Sequence, residues 1–217
     1  MIALDLFCGA GGASKGIHDC GFEVVGVDNA SGLSYPYEFF CEDAIDFMDC
    51  GLDAFDFIWA SPPCQAYSWA GAQHRNRGVE YPDLVAITRK YLVESGKPYI
   101  IENVVGAPLL NPVTLCGTMF PGELKVFRHR LFESNVPLVV DRKCAHKGHK
   151  AKERRGDNGD FFTVVGHNTG THAEWADAMG IDWMTKKELT QAIPPAYSKY
   201  LVEQVVKYEK YNNSISK

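Results

Sequence analysis

The stretch I2-A-L-D-L-F-C-G-A-G-G12 decides the fold. Residues 2–7, "IALDLF", are apolar apart from one acid and read as a buried strand. Gly9, Gly11 and Gly12 follow at once, and a helical segment runs from them toward Cys20 and Gly21. A strand that enters a helix through a glycine turn opens a βαβ unit, and glycines let the backbone pass close to a ligand. The next apolar run, "FEVVGVD" at 22–28, is a second strand that ends on Asp28. An acid there accepts hydrogen bonds from ribose hydroxyls. No basic residue follows the glycines until Lys15, so the ligand carries a ribose and need not carry phosphates. The same glycines would also make a tight structural turn. The strand, helix and acid in order point beyond that to a ligand.

Outward from this unit the pattern repeats. Residues 55–60, "FDFIWA", and 97–104, "KPYIIENV", read as strands. Between them Leu84, Ile87, Thr88, Tyr91 and Leu92 share one helical face. Strands alternating with helices predict an α/β, Rossmann-like, mostly parallel sheet with helices on both faces. The last third differs. Short β-like pieces lie near 114–116, 131–132 and 161–165, and a basic, then glycine-containing segment at 142–160 reads as a mobile loop. Pro195 suits the first turn of a closing helix.

Composition narrows the classes. The 217 residues suit one domain with at most a small appendage, and 46% hydrophobic with 23% charged residues is ordinary for a globular protein. No apolar run approaches a membrane span, and the N-terminus lacks the basic region of a signal peptide, so a cytoplasmic protein is expected. Seven cysteines without a CxxC pair read as reduced thiols. A net charge of −5 argues against wholesale polyanion binding and leaves room for a local basic patch.

The chemistry gathers at two strand ends. After the 55–60 strand, Pro62 and Pro63 stop the ladder and Cys64 follows on a stiff turn. A lone cysteine is usually a small buried hydrophobe. At the carboxyl edge of a parallel sheet, where ligands bind, it is a candidate soft nucleophile suited to conjugate addition on an electron-poor ring. The later strand presents Glu102 and Asn103. A carboxylic acid beside such a ring would protonate or hydrogen-bond a ring nitrogen. Asn103 is expected to tie the neighbouring loops together by hydrogen bonds.

With these residues in place the chain resembles the DNA (cytosine-5)-methyltransferase family, in its short bacteriophage form. "DLFCGAGG" resembles the family's S-adenosylmethionine loop, "SPPCQAYS" its Pro-Cys-Gln loop, "ENV" its Glu-Asn-Val motif, and "FRHRLFE" its paired-arginine motif, in the family's order from Asp5 to Glu133. The resemblance implies the class I methyltransferase fold and S-adenosylmethionine as cofactor. It implies that Cys64 adds to C6 of a cytosine flipped out of double-stranded DNA, that Glu102 assists at N3 and the exocyclic amine, that Arg130 contacts the cytosine carbonyl, and that Arg128 supports the site. An atom inside the base stack cannot be reached from both faces, so flipping is a physical need as well. Cofactor contacts fall to Asp5, Leu6, Phe7, Gly9, Gly11, Gly12, Asp28, Asn29, Asp43, Ala44 and Pro62, with Gln191 carried over in place of the family's late Gly-Asn pair. Gln65, Ser68, Arg75 and Arg77 would face DNA from the catalytic loop, and Lys150, Arg154 and Arg155 from the basic segment.

The resemblance divides the chain into a catalytic core at 1–134, a reduced target-recognition region at 135–189 and a C-terminal helix region at 190–217 that packs back on the core. Val126 replaces the family's usual glutamine before the arginines. So small a recognition region reads few base edges, and a short target or context-independent methylation is expected. A monomer in a bacterial or phage-infected cell is expected, serving restriction protection or further cytosine modification.

Within 135–189, Cys144, His146 and His149, with Cys116 as a fourth ligand, raise a zinc site. Their spacing is not a standard zinc pattern, and the expectation is a basic loop without metal. His167 and His172 read as polar loop residues. Three other functions compete. A thymidylate-synthase-like enzyme would share the Pro-Cys nucleophile but use folate, against which the glycine turn and Asp28 stand. Cytosine methylation in RNA would use the same fold. A catalytically silent binding protein would not need both Cys64 and Glu102.

Overall fold

The computed structural model describes residues 1–68, 72, 77–152, 157–164 and 169–215. Its centre is a seven-stranded sheet. Strands β1 (Ile2–Leu6), β2 (Glu23–Asp28), β3 (Glu38–Cys41), β4 (Phe57–Ala60), β5 (Tyr99–Asn103), β6 (Val113–Leu115) and β7 (Arg130–Ser134) stand in the order β3-β2-β1-β4-β5-β7-β6. The five from β3 to β5 pair in parallel, while β7 runs antiparallel to both β5 and β6. The fold is the Rossmann-like arrangement expected. The strand β3, which sequence reading passed over, forms the edge beyond β2, with a side-chain pattern largely exposed.

Parallel strands covered on both faces read as continuous apolar runs, because both sides are buried. Here the alternation of side chains divides them between two cores. Ala3, Phe57, Trp59 and Ile100 face one core, and Leu4, Leu6, Ile58, Ala60 and Ile101 face the other. The second core is covered by α2 (Ala44–Asp49) and α3 (Val85–Ser95), through Ala44, Met48 and Leu92. Helix α3 buries Val85, Thr88 and Leu92, so the expected face holds at Thr88 and Leu92 while Leu84 becomes the N-cap.

The first core is covered by α1 (Gly12–His18), α4 (His172–Met179), α5 (Lys186–Leu189) and α6 (Pro195–Ile215). Pro195 does open the last helix. His172 lies in α4, not in a loop, because Thr171 and Glu174 form a capping box that starts the helix there. Its Nε2 donates to the Met184 carbonyl at 2.7 Å.

Helix α6 docks on α1 at van der Waals range, and the glycines of α1 permit it. A Cβ on Gly12 would stand 2.4 Å from the Ile193 carbonyl oxygen, and one on Gly16 2.2 Å from the Pro195 carbonyl oxygen. Ser198 Oγ donates to the Ala13 carbonyl at 2.8 Å across the same contact. Gly12, expected beside the cofactor, also has its missing side chain required by the Ile193 backbone.

The segment read as a mobile loop is tied down over its described part. Arg142 lies over the Phe120 and Tyr200 rings at 4.6 and 4.5 Å and donates to the Met119 carbonyl. Strand β8 (Ala151–Lys152) pairs in parallel with β9 (Phe161–Phe162). Lys152 Nζ reaches Glu174 at 2.6 Å and sits 5.1 Å from the Phe162 ring centre. Aromatic and acidic partners from distant parts of the chain hold what local composition marks as free. Among the described residues no helix is long and apolar enough to cross a membrane.

The α1–α6 contact makes a direct prediction. Gly16→Ala places a methyl inside van der Waals range of backbone and should cost about 1–3 kcal/mol, as overpacking does. Gly148→Ala, where an added Cβ meets nothing within 4 Å, should be nearly neutral. Urea midpoints of the two variants against the parent chain measure the difference.

Candidate active site at the carboxyl edge of the sheet

The sheet delivers its chemistry to one edge. Strand β4 ends at Ala60, and the chain continues through Ser61, Pro62 and Pro63 to Cys64. The Cys64 carbonyl accepts from the Tyr67 and Ser68 amides at 3.0 and 2.8 Å, so the thiol sits on a closed turn. The next strand, β5, ends in Glu102 and Asn103. Asn103 Nδ2 donates to the Pro62 carbonyl at 2.9 Å and its Oδ1 accepts from the Val104 amide at 2.8 Å. That bond clamps the cysteine loop to the end of β5, as expected of Asn103.

Glu102 is only 6% exposed, and Arg130 Nε stands 2.9 Å from its Oε1. Arg130 opens β7, the strand paired antiparallel with β5, which is why the two side chains meet. Burial raises the Glu102 carboxyl above its usual range, against the pull of Arg130 and Arg128 and a hydrogen bond from Ser61. Desolvation outweighs two cations here, so the acid holds its proton more tightly than a solvated carboxylate. The Cys64 thiol is also raised, first by burial and then by the Glu102 charge, while Arg130 opposes the shift. The Cys64 thiol, the Glu102 carboxyl and the Arg130 guanidinium therefore form one electrostatically coupled group.

Arg128 is almost fully buried. Its guanidinium donates to the Val164 and Thr190 carbonyls, each at 2.8 Å, and its own carbonyl accepts from Tyr197 Oη at 2.7 Å. Burial and the nearby Arg130 push its pKa down to about 9. Its geometry is that of a strut joining β7, the 164 segment and the end of α5.

The glycine turn lies two strands away. The chain enters the left-handed region at Phe7 (φ 57°), Gly9 (φ 51°) and Gly11 (φ 83°). Asp28 accepts from the Gly9 amide and the Ala30 amide, both at 2.9 Å, which fixes the turn to the end of β2. A carboxylate has about four acceptor sites, so two remain for ribose hydroxyls. A Cβ on Gly9 would meet nothing within 4 Å, so space lies open beside that half-buried acid. The residues present fit a ribose-bearing cofactor. Leu6 is buried, Phe7 and Asp28 are half-buried, and Asn29 is exposed next to them.

Other assigned residues have further duties. Asp43 caps α2, with Oδ1 accepting from the Ile45 amide at 2.8 Å, and Ala44 is buried behind it. Asp5 is fully buried and accepts from Ser14 Oγ, and burial raises its pKa to about 7. Pro62 is buried. Gln191 is exposed just past α5, its amide donating to the Glu188 carbonyl. Gln65, Arg77 and Lys150 are exposed and Ser68 is half-buried, while Arg75, Arg154 and Arg155 lie outside the described residues.

Sequence reading passed over three supports. Ser61 bonds Glu102 and accepts from Trp59 Nε1 at 3.0 Å. Tyr35 bonds Ser14 at 2.9 Å and fills the space that Gly26 leaves on β2. Trp183 Nε1 donates to the Ala10 carbonyl at 2.8 Å and braces the glycine turn. Ser61 was legible from its place at the strand end; the other two act from loops that sequence alone does not bring near.

Solved structures share the architecture. The S. pombe Dnmt2 methyltransferase is similar over 95% of this chain and 98% of its own, with TM-score 0.60 and 12% identity. The Entamoeba histolytica methyltransferase EhMeth is similar over 96% and 97%, with TM-score 0.55 and 12% identity. At such identity the likeness shows the fold. No curated protein sequence matches significantly. The family model described as C-5 cytosine-specific DNA methylase matches residues 1–109, just over half of the chain, and takes in the glycine turn, Asp28, Cys64 and Glu102. The chain therefore belongs to the C-5 cytosine-specific DNA methylase family and is a cytosine C5 methyltransferase with S-adenosylmethionine as cofactor.

Proposed function

We propose that the protein methylates cytosine in double-stranded DNA through a covalent adduct between Cys64 and C6 of a flipped-out base. The observation that carries this reading is the coupled group of Cys64, Glu102 and Arg130 at the carboxyl edge of the sheet. Cys64, as the thiolate, adds to C6. Glu102 in its protonated form donates at N3, so that electron density moves onto C5. S-adenosylmethionine, when bound, supplies the methyl group that C5 takes. The C5 proton then leaves to a base, the Cys64–C6 bond breaks, the N3 proton returns to Glu102, and the ring regains its aromaticity with the thiolate restored. Arg130 holds Glu102 and reaches the cytosine carbonyl, and Arg128 positions the strand that carries it. Asp28 takes the ribose hydroxyls, with Asp5, Leu6, Phe7, Gly9, Gly11, Gly12, Asn29, Asp43, Ala44, Pro62 and Gln191 forming the remaining cofactor surroundings.

The division into a core at 1–134, a reduced recognition region at 135–189 and a C-terminal region at 190–217 belongs to this proposal. It makes the protein a short, phage-type enzyme with a short target, working as a monomer in the cytoplasm for restriction protection or further base modification. Gln65, Ser68, Arg75 and Arg77 would face DNA from the cysteine loop, and Lys150, Arg154 and Arg155 from the basic segment. Lys152 and Arg142 of the same segment are outside that surface, since Glu174 and two aromatic rings engage them.

The substrate test is covalent trapping. Duplex DNA carrying 5-fluorocytosine should form a complex with the protein that survives denaturation, because fluorine cannot leave as the C5 proton does. Cys64→Ser should bind S-adenosylmethionine and trap nothing. Trapping on fluorocytosine RNA but not on duplex DNA would transfer the activity to RNA, and no trapping on either would remove Cys64 from the chemistry.

Glu102→Gln tests the coupling. Removal of the negative neighbour should lower the Cys64 pKa, so alkylation by iodoacetamide at Cys64, read by peptide mass spectrometry, begins at lower pH than in the parent. Single-turnover methylation should fall by about 10²–10⁴-fold, the usual range for general acid–base assistance. An unchanged alkylation profile would mean that the two groups do not interact.

The DNA surface has its own measure. Each phosphate contact adds about −0.9 to the slope of log affinity against log salt. The triple variant of Lys150, Arg154 and Arg155 to alanine should flatten that slope by up to about three such contributions, whereas Lys152→Ala should leave it unchanged.

A further inference from the structure

A second cluster of reactive side chains lies outside the methylation chemistry. Cys116 follows β6, His129 stands between Arg128 and Arg130 at the start of β7, and Cys144 and His146 belong to the excursion that leaves β7. One ligand atom from each of these four residues lies within 4.8 Å of all the others. Cys116 Sγ is 3.0 Å from His146 Nε2, and Cys144 Sγ is 3.5 Å from His129 Nε2.

We propose that Cys116, His129, Cys144 and His146 form a structural zinc site that pins the 142–149 excursion to the strands carrying the paired arginines. Tetrahedral zinc with Zn–S of about 2.3 Å and Zn–N of about 2.0–2.1 Å requires ligand atoms roughly 3.3–3.8 Å apart. The donors already stand near that separation and need shifts of only a few tenths of an ångström at the two measured pairs. The set is two thiols and two imidazoles, which select zinc over oxygen-seeking magnesium or calcium. On binding, each thiol loses its proton to solvent, and the two thiolates neutralise the divalent ion while the imidazoles bind through neutral nitrogen.

The surroundings are built for it. Thr118 Oγ1 lies 3.5 Å from both the Cys116 and Cys144 sulfurs and accepts from the Ala145 amide at 3.0 Å. A hydroxyl donating to ligand sulfur orients it and spreads its charge. The Phe127 and His129 rings pack against His146, with centroids 4.5 and 4.8 Å away. Four protein donors close the coordination sphere, so the site is structural and leaves no open position for a reacting water. Its mechanical consequence is specific. His129 is flanked by Arg128 and Arg130, so a metal there anchors the backbone between the strut and the partner of Glu102.

The expectation of no metal weighed Cys144, His146, His149 and Cys116. The fold exchanges one member. His149 turns to Asp160, 3.2 Å away, and His129 enters from the arginine motif.

The test measures metal on the purified full chain without a histidine tag. Mass spectrometry of the metal should find one zinc per chain. After chelation and reduction, cobalt(II) titration should give the intense visible bands of a tetrahedral centre and a thiolate-to-cobalt band in the near ultraviolet, saturating at one equivalent. The double variant Cys144→Ser, His146→Ala should lose both signals, and His149→Ala should keep them. A parent chain that carries no zinc and gives no tetrahedral cobalt spectrum overturns the proposal. So does a double variant that keeps the full signal, or a Cys116–Cys144 disulfide in place of metal. None of these readouts depends on methylation, so failure here leaves the catalytic reading standing.

Discussion

An acid buried at the end of a strand must be compensated, and that requirement organises the carboxyl edge of the sheet in this protein. Glu102 at 6% exposure could not remain there as a bare charge, since isolated burial of a carboxylate costs several kcal/mol even after relaxation. Arg130 meets it because β7 runs antiparallel beside β5 and begins where β5 ends. The pairing of these two strands, the reversal in an otherwise parallel run and the position of β6 at the far edge all bear on one ion pair 2.9 Å long. The pair also sets the state of Cys64, whose thiol is held up by burial and by the Glu102 charge and drawn down by Arg130. Glu102, Arg130 and Cys64 are thus adjusted together, not residue by residue.

The glycine turn rests on a different constraint, which is steric. The glycine turn can stay open only if something holds its outer wall. The C-terminal helix and the residues that lead into it do so, packed so closely on α1 that neither Gly12 nor Gly16 can carry a side chain. Trp183, Ser198 and Ile193 reach the turn and α1 from the last fifth of the chain. A glycine turn near residue 10 is therefore completed by residues almost two hundred positions later. The same late segment supplies Thr190 and Tyr197 to Arg128, so the glycine turn and the arginine strand share a support.

Much of the fold and the site was legible in the sequence because the relevant signals are local. A buried parallel strand is an apolar run, a glycine turn must be glycine, and a proline pair must end a ladder. Those rules place Cys64, Glu102, Gly9 and Asp28 at strand ends without any structure. Where local rules were weak the reading strayed. The exposed edge strand β3 has little apolar pattern to read. The basic segment looked solvated because lysines and arginines do so by composition, and nothing nearby in sequence announces that Phe120, Tyr200 and Glu174 will engage Arg142 and Lys152.

By itself the sequence determined the class of sheet, the order of its motifs and the places of Cys64, Glu102 and Asp28 at strand ends, because each depends on neighbours a few residues away. Only the tertiary structure decided that Gly12 answers to Ile193, that Arg128 is a strut while Arg130 faces Glu102, and that His129 replaces His149 beside Cys116, Cys144 and His146. These are contacts between segments tens of residues apart. Such contacts are fixed by strand order and by the packing of helices on the sheet, and no local pattern of residues encodes them.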